Sequence, residues 1–332
     1  MNTPIPDNWP YQAALQALRA YGFDADAVSL HPLNATNNLN YKIHVAASDH
    51  ELQTFVLRIH RSVDVTAPTL RSELAWLQAI RTTTNLRVPV PVRTRDGTLF
   101  DTVTTFPDAL PRYHVLFEWL DSRFIPTRDQ DAAAAMQVGS FTACLHLQAQ
   151  TFAPSPAFMR RSLDQAHLFD WAALDAVPSA HRVFTNAHRA LFREVQERTH
   201  HVFRVLDTQP ATFGLIHTDL IWKNYFFHDQ GVGAVDFESC GWGYYLYDLA
   251  PTLVGYFDEP HYQALRASFL AGYQQVRPLP ADHAALLDVL MAARHVVSCC
   301  WLAQRLDDPV LGRRAPEIVT SRVDAIGRLL DM

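Results

Sequence analysis

Ten residues constrain this chain more than any others: Leu215-Ile216-His217-Thr218-Asp219-Leu220-Ile221-Trp222-Lys223-Asn224. Asp236-Phe237-Glu238 begins twelve residues after Asn224. The segment between them, Tyr225 to Val235, reads as two short apolar strands around a turn. A hairpin there brings its two ends together, so Asn224 and Asp236 come to one place. An isolated Asp more often caps a turn than does chemistry. An Asp with a His two residues before it, an Asn five residues after it and a second acid beyond a hairpin is a much rarer combination. Glu238 lies two residues past Asp236, on the same side of an extended chain.

At 332 residues the chain is long enough for two lobes, each with its own core. With 48% apolar and 19% charged residues the composition is that of an ordinary globular protein, which excludes disorder as an explanation. The net charge of −6 and the scattered positive residues argue against a nucleic-acid partner, which needs a basic face. Only 12 glycines are present, so a glycine-rich phosphate loop is not expected. Cys144, Cys240, Cys299 and Cys300 form no C-x-x-C pair, so neither a disulfide framework nor a zinc site is expected, and a reducing compartment is the simpler reading. The opening MNTPIPDNWP has no basic or apolar region of a secretory signal, and no apolar run reads as long enough to span a membrane. A soluble cytoplasmic protein with no membrane partner is expected.

Helical spacing marks Trp9 to Tyr21, stopped by Gly22. Strand patterns follow at Ala27 to Leu33, Leu39 to Ala47 and Phe55 to His60, joined by polar turns at 34–38 and 48–50. Pro68 to Arg81 reads as a helix, with Leu70, Leu74, Leu77 and Ile80 on one face and Glu73 beside them. Pro89 and Pro91 punctuate an extended segment, Asp96-Gly97 signals a turn, and Tyr113 to Leu120 is a strongly apolar strand. Helices are then expected at Asp131 to Gln150, His188 to Leu206, Tyr247 to Tyr256, His261 to Val276, Ala281 to Leu306 and Ala315 to Leu330. The pattern predicts an α+β protein: a small antiparallel-sheet lobe over 1–120 and a mainly helical lobe over 121–332.

The central residue types suit phosphoryl transfer to an alcohol, which has three local needs. Asp219 would orient the hydroxyl and take its proton. Asn224 and Asp236 offer the oxygen ligands that Mg²⁺ prefers. Glu238 either assists the metal or is a solvated carboxylate. Arg58, in the strand Val56-Leu57-Arg58-Ile59-His60, would meet phosphate charge with Glu73 as its partner. The plainer reading of that pair is a surface Arg and an exposed helix Glu. His217 reads as a brace of the loop, and Asp248 as a second brace or as a helix N-cap. The 16 histidines, the tandem His200-His201 and the vicinal Cys299-Cys300 show no ligand spacing and read as helix-face and core residues.

Residues 217–224 fit H-x-D-L-x-x-x-N, the catalytic loop of the kinase fold, and Asp236 stands where that fold keeps its metal-binding Asp. The chain resembles the aminoglycoside phosphotransferase and choline kinase superfamily, small-molecule kinases of protein-kinase-like fold. Asn37-Asn38-Leu39-Asn40-Tyr41 looks like the Asn-containing loop of its homoserine-kinase-like branch. Leu145-His146 and Tyr247-Asp248-Leu249-Ala250 also match habits of the superfamily, and the resemblance covers roughly residues 28 to 305. It implies a two-lobe fold with an N-terminal nucleotide-binding lobe and ATP with Mg²⁺ in the cleft between lobes. Adenine would meet the backbone near Phe117, Glu118 and Trp119, and Asn37 and Asn38 would lie over the phosphates. It makes Asp219, Asn224 and Asp236 the catalytic set, Asn224, Asp236 and Glu238 the metal set, and Arg58 with Glu73 the phosphate anchor. Two departures stand out: the phosphate loop has no glycine, and Arg58 holds a position where Lys is usual.

The acceptor is the least legible part. Trp222, Trp242, Tyr244, Tyr245, Tyr247 and Tyr256 crowd the same stretch and would suit an ammonium group, as in choline-type sites, or would simply be core. A small-molecule alcohol, an amino alcohol or homoserine among them, is the first reading. A bacterial stress-type protein kinase and a non-catalytic nucleotide-binding protein are the alternatives.

Overall fold

The computed structural model describes residues 8–33, 38–46, 52–176 and 180–331. The chain divides into two compact units, Met1–Ser122 with Pro154–Met159, and Arg123–Ala153 with Arg160–Met332.

The first unit begins with α1 (Trp9–Arg19), then β1 (Val28–Pro32), β2 (Asn38–Ala46) and β3 (Leu52–His60). Helix α2 (Ala67–Thr83) follows, then β4 (Asp101–Val103) and β5 (Arg112–Glu118). The strands form one antiparallel sheet in the order β1-β2-β3-β5-β4. β3 is therefore central, which its near-continuous apolar run suits. Alternation divides its side chains between two faces. Leu57 and Ile59 join Leu39, Tyr41, Ile43 and Leu116 in a core that also takes Ala13, Ala14, Ala17 and Leu18 of α1. Arg58 points to the other face, where α2 supplies Glu73. Thr66 caps α2 in a reciprocal box with Thr69, fixing where the helix starts. The turns expected at 34–38 and 48–50 lie almost entirely outside the described residues.

The second unit holds α3 (Ala132–Thr151), β6 (Ser162–Leu163), α4 (Trp171–Ala176), α5 (Ala180–Val183) and α6 (Asn186–Leu206). β7 (Phe213–Ile216), the hairpin β8 (Tyr225–His228) and β9 (Gly231–Ala234), and β10 (Gly241–Tyr244) follow. The chain ends in α7 (Tyr245–Tyr256), α8 (Tyr262–Val276), α9 (Ala281–Ala284), α10 (Leu287–Ala303) and α11 (Leu311–Leu330). The small sheet β6-β10-β7 and the hairpin β8-β9 carry the loops of interest. The mixed α+β architecture, antiparallel sheet first and helices after, is as expected.

Two expectations are corrected. The helix read as continuous from Ala281 to Leu306 is two, because α9 ends at Ala284 and α10 begins at Leu287. The same stretch, 281–303, is long and apolar enough by length and composition to cross a membrane. Its apolarity has another cause: more than half of it is buried, and α10 packs on α6, α7 and α11. A core helix surrounded by protein carries apolar residues on most faces.

Candidate active site

The loop that leaves β7 is held by its own backbone and by one carboxylate. Asp248, in the first turn of α7, is fully buried. Its Oδ2 accepts from the His217 N–H at 3.0 Å and its Oδ1 from the Thr218 N–H at 2.5 Å. It braces the loop and does not cap the helix, which settles the two readings of this residue. Three residues line up behind it. His146 Nε2 lies 3.0 Å from Asp248 Oδ2, His146 Nδ1 lies 2.9 Å from the Tyr273 hydroxyl, and Arg277 donates to that hydroxyl at 2.7 Å. Burial holds His146 below its usual range and so neutral. Burial works against the Asp248 charge, but bonds from His146 and the His217 backbone win and hold its carboxyl below the ordinary value. His146 therefore donates from Nε2 and accepts at Nδ1, and every bond in the chain runs toward Asp248.

The brace makes an unusual backbone tolerable. Thr218, a β-branched residue, has φ +75°. Its N–H is fixed by Asp248 and its hydroxyl donates to Ser239 O at 3.1 Å. His217 Nε2 donates to Val235 O at 3.0 Å, while its Nδ1 accepts from the Asp219 N–H at 3.3 Å. His217 thus joins the loop to the far end of the hairpin. Its role is the bracing expected from sequence.

Asn224 donates from Nδ2 to both the backbone carbonyl and Oδ2 of Asp219, each at 2.9 Å. That fixes the amide so its oxygen is the end turned away from Asp219. Val235 N–H donates to Asn224 O at 2.8 Å, closing the hairpin and bringing Asp236 beside Asn224 in the chain path. Asp236 is exposed and left-handed, φ 64° and ψ 57°. Strain of this kind in a polar loop is a reason to look there for function. Glu238 does not lie on an extended chain with Asp236, as its spacing suggested. Phe237–Ser239 form a turn of 3₁₀ helix, in which the period-2 argument fails. Arg160 donates to Cys240 O at 2.7 Å and to Glu238 O, tying this turn down.

Asn224 and Asp236 fit a small hard cation. They offer oxygen donors only, and a Mg²⁺ ion takes few protein ligands and keeps several waters. Among the described residues no cluster of three His, Cys, Asp or Glu forms a closed metal cage.

Sequence reasoning missed the strongest contact of Asp219. Arg294 of α10 forms an ion pair with its Oδ1 and also bonds to the Tyr247 hydroxyl. Burial opposes the Arg294 charge, but Asp219 and Tyr247 outweigh it and hold the guanidinium above its ordinary value. The signal was present as a lone Arg inside the apolar run Leu290 to Val297, where a charge needs a partner.

In the first unit, Arg58 Nη2 meets Glu73 Oε1 at 2.8 Å, with side chains 7% and 2% exposed. The surface reading of this pair is excluded by that burial. The Arg58 guanidinium also lies 5.1 Å from the centroid of Phe117. Glu118 N–H is taken by Val90 O at 2.9 Å and Trp119 N–H by Thr54 O at 3.1 Å. Lys42 stands 4.1 Å over the Trp119 ring. Asn38 is buried at the start of β2, and Asn37 lies outside the described residues. Of the six aromatic residues near the loop, Tyr244, Tyr245, Tyr247 and Tyr256 are buried core and only Trp222 and Trp242 are partly exposed.

The chain is similar to several known proteins. An amicoumacin kinase of Bacillus subtilis (strain 168) is 22% identical over 323 residues, 93% of this chain and 89% of its own. A homoserine kinase of Acidiphilium cryptum (strain JF-5) is 26% identical over 279 residues, 76% of this chain and 73% of its own. Among solved structures, a microcompartment-associated aminopropanol kinase superposes with TM-score 0.80 at 27% identity, covering 97% of this chain and 98% of that one. The amicoumacin kinase hAmiN, solved in complex with AMP-PNP, Ca²⁺ and Ami, has the same fold at TM-score 0.74 and 16% identity, over 96% and 94% of the two chains. The family model described as phosphotransferase enzyme family, APH, matches residues 29–286, and this chain belongs to that family.

Proposed function

We propose that the protein is an ATP- and Mg²⁺-dependent kinase that phosphorylates the hydroxyl of a small amino alcohol, homoserine-like compounds included. The observation that carries the reading is the assembly of Asp219, Asn224 and Asp236 by one braced loop and one closed hairpin. Family membership supports phosphoryl transfer. Relatives named for homoserine and aminopropanol support the acceptor class. A neighbour of the same fold that carries AMP-PNP and Ca²⁺ supports nucleotide and divalent metal use.

In this reading the first unit is the nucleotide lobe and the second carries catalysis and the acceptor. Arg58, steadied by Glu73, meets phosphate oxygens with its fork. Asn38 lies toward the same phosphates, with Asn37 beside it in sequence, and the carbonyls near Phe117, Glu118 and Trp119 face the base. Asn224 Oδ1 and the Asp236 carboxylate would hold the metal, and Glu238, in the turn that follows, is the further candidate ligand. The bound ion would draw charge from the phosphates and ease departure of ADP. Asp219 accepts the acceptor O–H proton as the oxygen attacks the γ-phosphorus; the new P–O bond forms as the bond to the β-phosphate bridging oxygen breaks. Asn224 keeps Asp219 aimed, and the Asp248 brace keeps the loop in place.

The test is coupled ADP release with Mg²⁺-ATP across amino alcohols, homoserine, sugars and aminoglycosides. Asp219→Asn should lower kcat by about 10²- to 10⁴-fold, the usual range for a general base. It should leave the nucleotide-induced rise in Tm in place. Turnover that survives Asp219→Asn would rule the assignment out.

A further inference from the structure

We infer that the acceptor carries a carboxylate, and that Arg161 and Arg294 receive it. The inference rests on Asp219 being the group that meets the acceptor hydroxyl, and it narrows the acceptor class.

Arg294 is fixed from two sides, by Asp219 Oδ1 and by the Tyr247 hydroxyl, and its side chain is still 20% exposed. A guanidinium therefore stands at the carboxylate that would receive the acceptor. Arg161 approaches the same corner from a different element. Its carbonyl accepts from the Trp242 N–H at 2.9 Å, which fixes the backbone just before β6 alongside β10. Its stem lies across Gly241, where a Cβ would meet Arg161 O at 2.6 Å and Cγ at 3.2 Å. Glycine at 241 lets the Arg161 backbone come this close, with the start of its side chain beside it. Arg161 is exposed as a residue, its charged end lies within electrostatic reach of Tyr247 and Arg294, and it has no ion-pair partner among the described residues.

Of these two guanidinium groups, Arg294 has the Asp219 carboxylate and Arg161, beside Arg294, has no carboxylate of its own among the described residues. The neighbouring arginines do not alter the balance. Arg160 is held by the carbonyls of Glu238 and Cys240, and Arg305 lies over the Trp301 ring 4.3 Å away, toward Glu238. A purely cationic acceptor would bring like charge to this corner. A hydroxy acid brings the missing negative charge, and its planar carboxylate matches the fork of a guanidinium. On binding, Arg294 can share the carboxylate with Arg161 while Asp219 turns to the hydroxyl. A carboxylate has about four lone-pair sites, so Asp219 can keep its bond from Asn224 throughout.

The experiment compares matched acceptors on the full chain with Mg²⁺-ATP: L-homoserine against 3-aminopropan-1-ol, its decarboxylated analogue, and against an alcohol bearing phosphate in place of carboxylate. Homoserine, or another hydroxy acid, should exceed its decarboxylated partner in kcat/KM by about 10²-fold or more, the range a lost charged partner gives. Arg161→Met should shrink that ratio at least tenfold through KM, and Arg161→Lys should restore part of it. Preference for the amino alcohol with turnover still lost in Asp219→Asn would sink this inference and leave the kinase reading intact. Preference for the phosphate-bearing alcohol, or a ratio unmoved by Arg161→Met, would sink it equally. Without turnover, calorimetry with AMP-PNP present decides: hydroxy acids that bind no better than 3-aminopropan-1-ol overturn it.

Discussion

The Arg58–Glu73 pair is a case where burial decides what a mutation does. Both charges are almost sealed from water, so removing one strands the other. Arg58→Ala should destabilise the protein by about 3–5 kcal/mol, whereas Arg58→Met with Glu73→Leu should recover most of that loss. Urea unfolding of the two variants measures the difference, and equal stability would show that the pair is not coupled. Asp248 obeys the same logic with hydrogen bonds. Asp248→Asn puts an NH₂ group where donors converge from His217, Thr218 and His146, at a cost of about 1–3 kcal/mol. Its kcat should fall further than its nucleotide affinity, because the loop that aims Asp219 loosens; steady-state kinetics against nucleotide titration would reveal any other order. The hairpin that closes between Asn224 and Asp236 was legible in the sequence, because a loop and a short hairpin follow local rules. The sequence hid Arg294, which reaches Asp219 from 75 residues away along the chain. It misplaced Glu238, because the left-handed turn at Asp236 cannot be read from residue type alone.

Helices α3 and α8 make the tightest interface in the second unit, and two glycines set it. A Cβ on Gly139 would overlap the Phe269 carbonyl, and one on Gly272 would overlap the Met136 carbonyl. The obstacle at each position is backbone, which cannot rotate aside. Ser140 donates to Gly272 O at 3.0 Å across the same contact. Gly139→Ala should therefore destabilise by roughly 3 kcal/mol, at the upper end of overpacking changes, despite the gain in helix propensity. α3 carries His146 and α8 carries Tyr273, so the same change should lower kcat by pulling the Asp248 brace apart. A Gly139→Ala protein as stable and active as the parent, by thermal unfolding and ADP release, would contradict this. Most element boundaries were readable because apolar spacing and caps are local. The break in the last long apolar run was not, since Ala285 and Leu286 continue the pattern while the backbone leaves the helix.

Acid stability is a property of the whole chain and follows from where its histidines sit. Burial is the main cause that depresses His114, to about 4, and His295, to about 3; His146 is lowered too, with burial again first. Asp101 opposes the effect at His114 and Asp248 opposes it at His146, but burial outweighs both, and at His295 the charges of Arg322, Arg294 and Arg328 add to it. The unfolded chain takes up protons near pH 6.5 at these positions and the folded chain does not. Stability is therefore complete above pH 6.5 and falls as pH drops through it, until the folded values are reached. Each group contributes at most about 1.4 kcal/mol per pH unit, so His114 and His295 together give a slope of up to about 3 kcal/mol per unit between pH 6.5 and 4, to which His146 adds in the same direction. Asp248 adds loss only at lower pH, since its contribution is complete above the ordinary Asp value of 3.8 and is lost as pH falls from there through the depressed folded value. Urea midpoints from pH 7.5 to 5 should fall steeply, and His295→Gln should flatten the slope by up to about 1.4 kcal/mol per pH unit. A flat profile in the parent would mean that these rings are protonated in the fold. The count of 16 histidines in the sequence could not show this, because which of them lie in a dry interior is set by packing between distant elements.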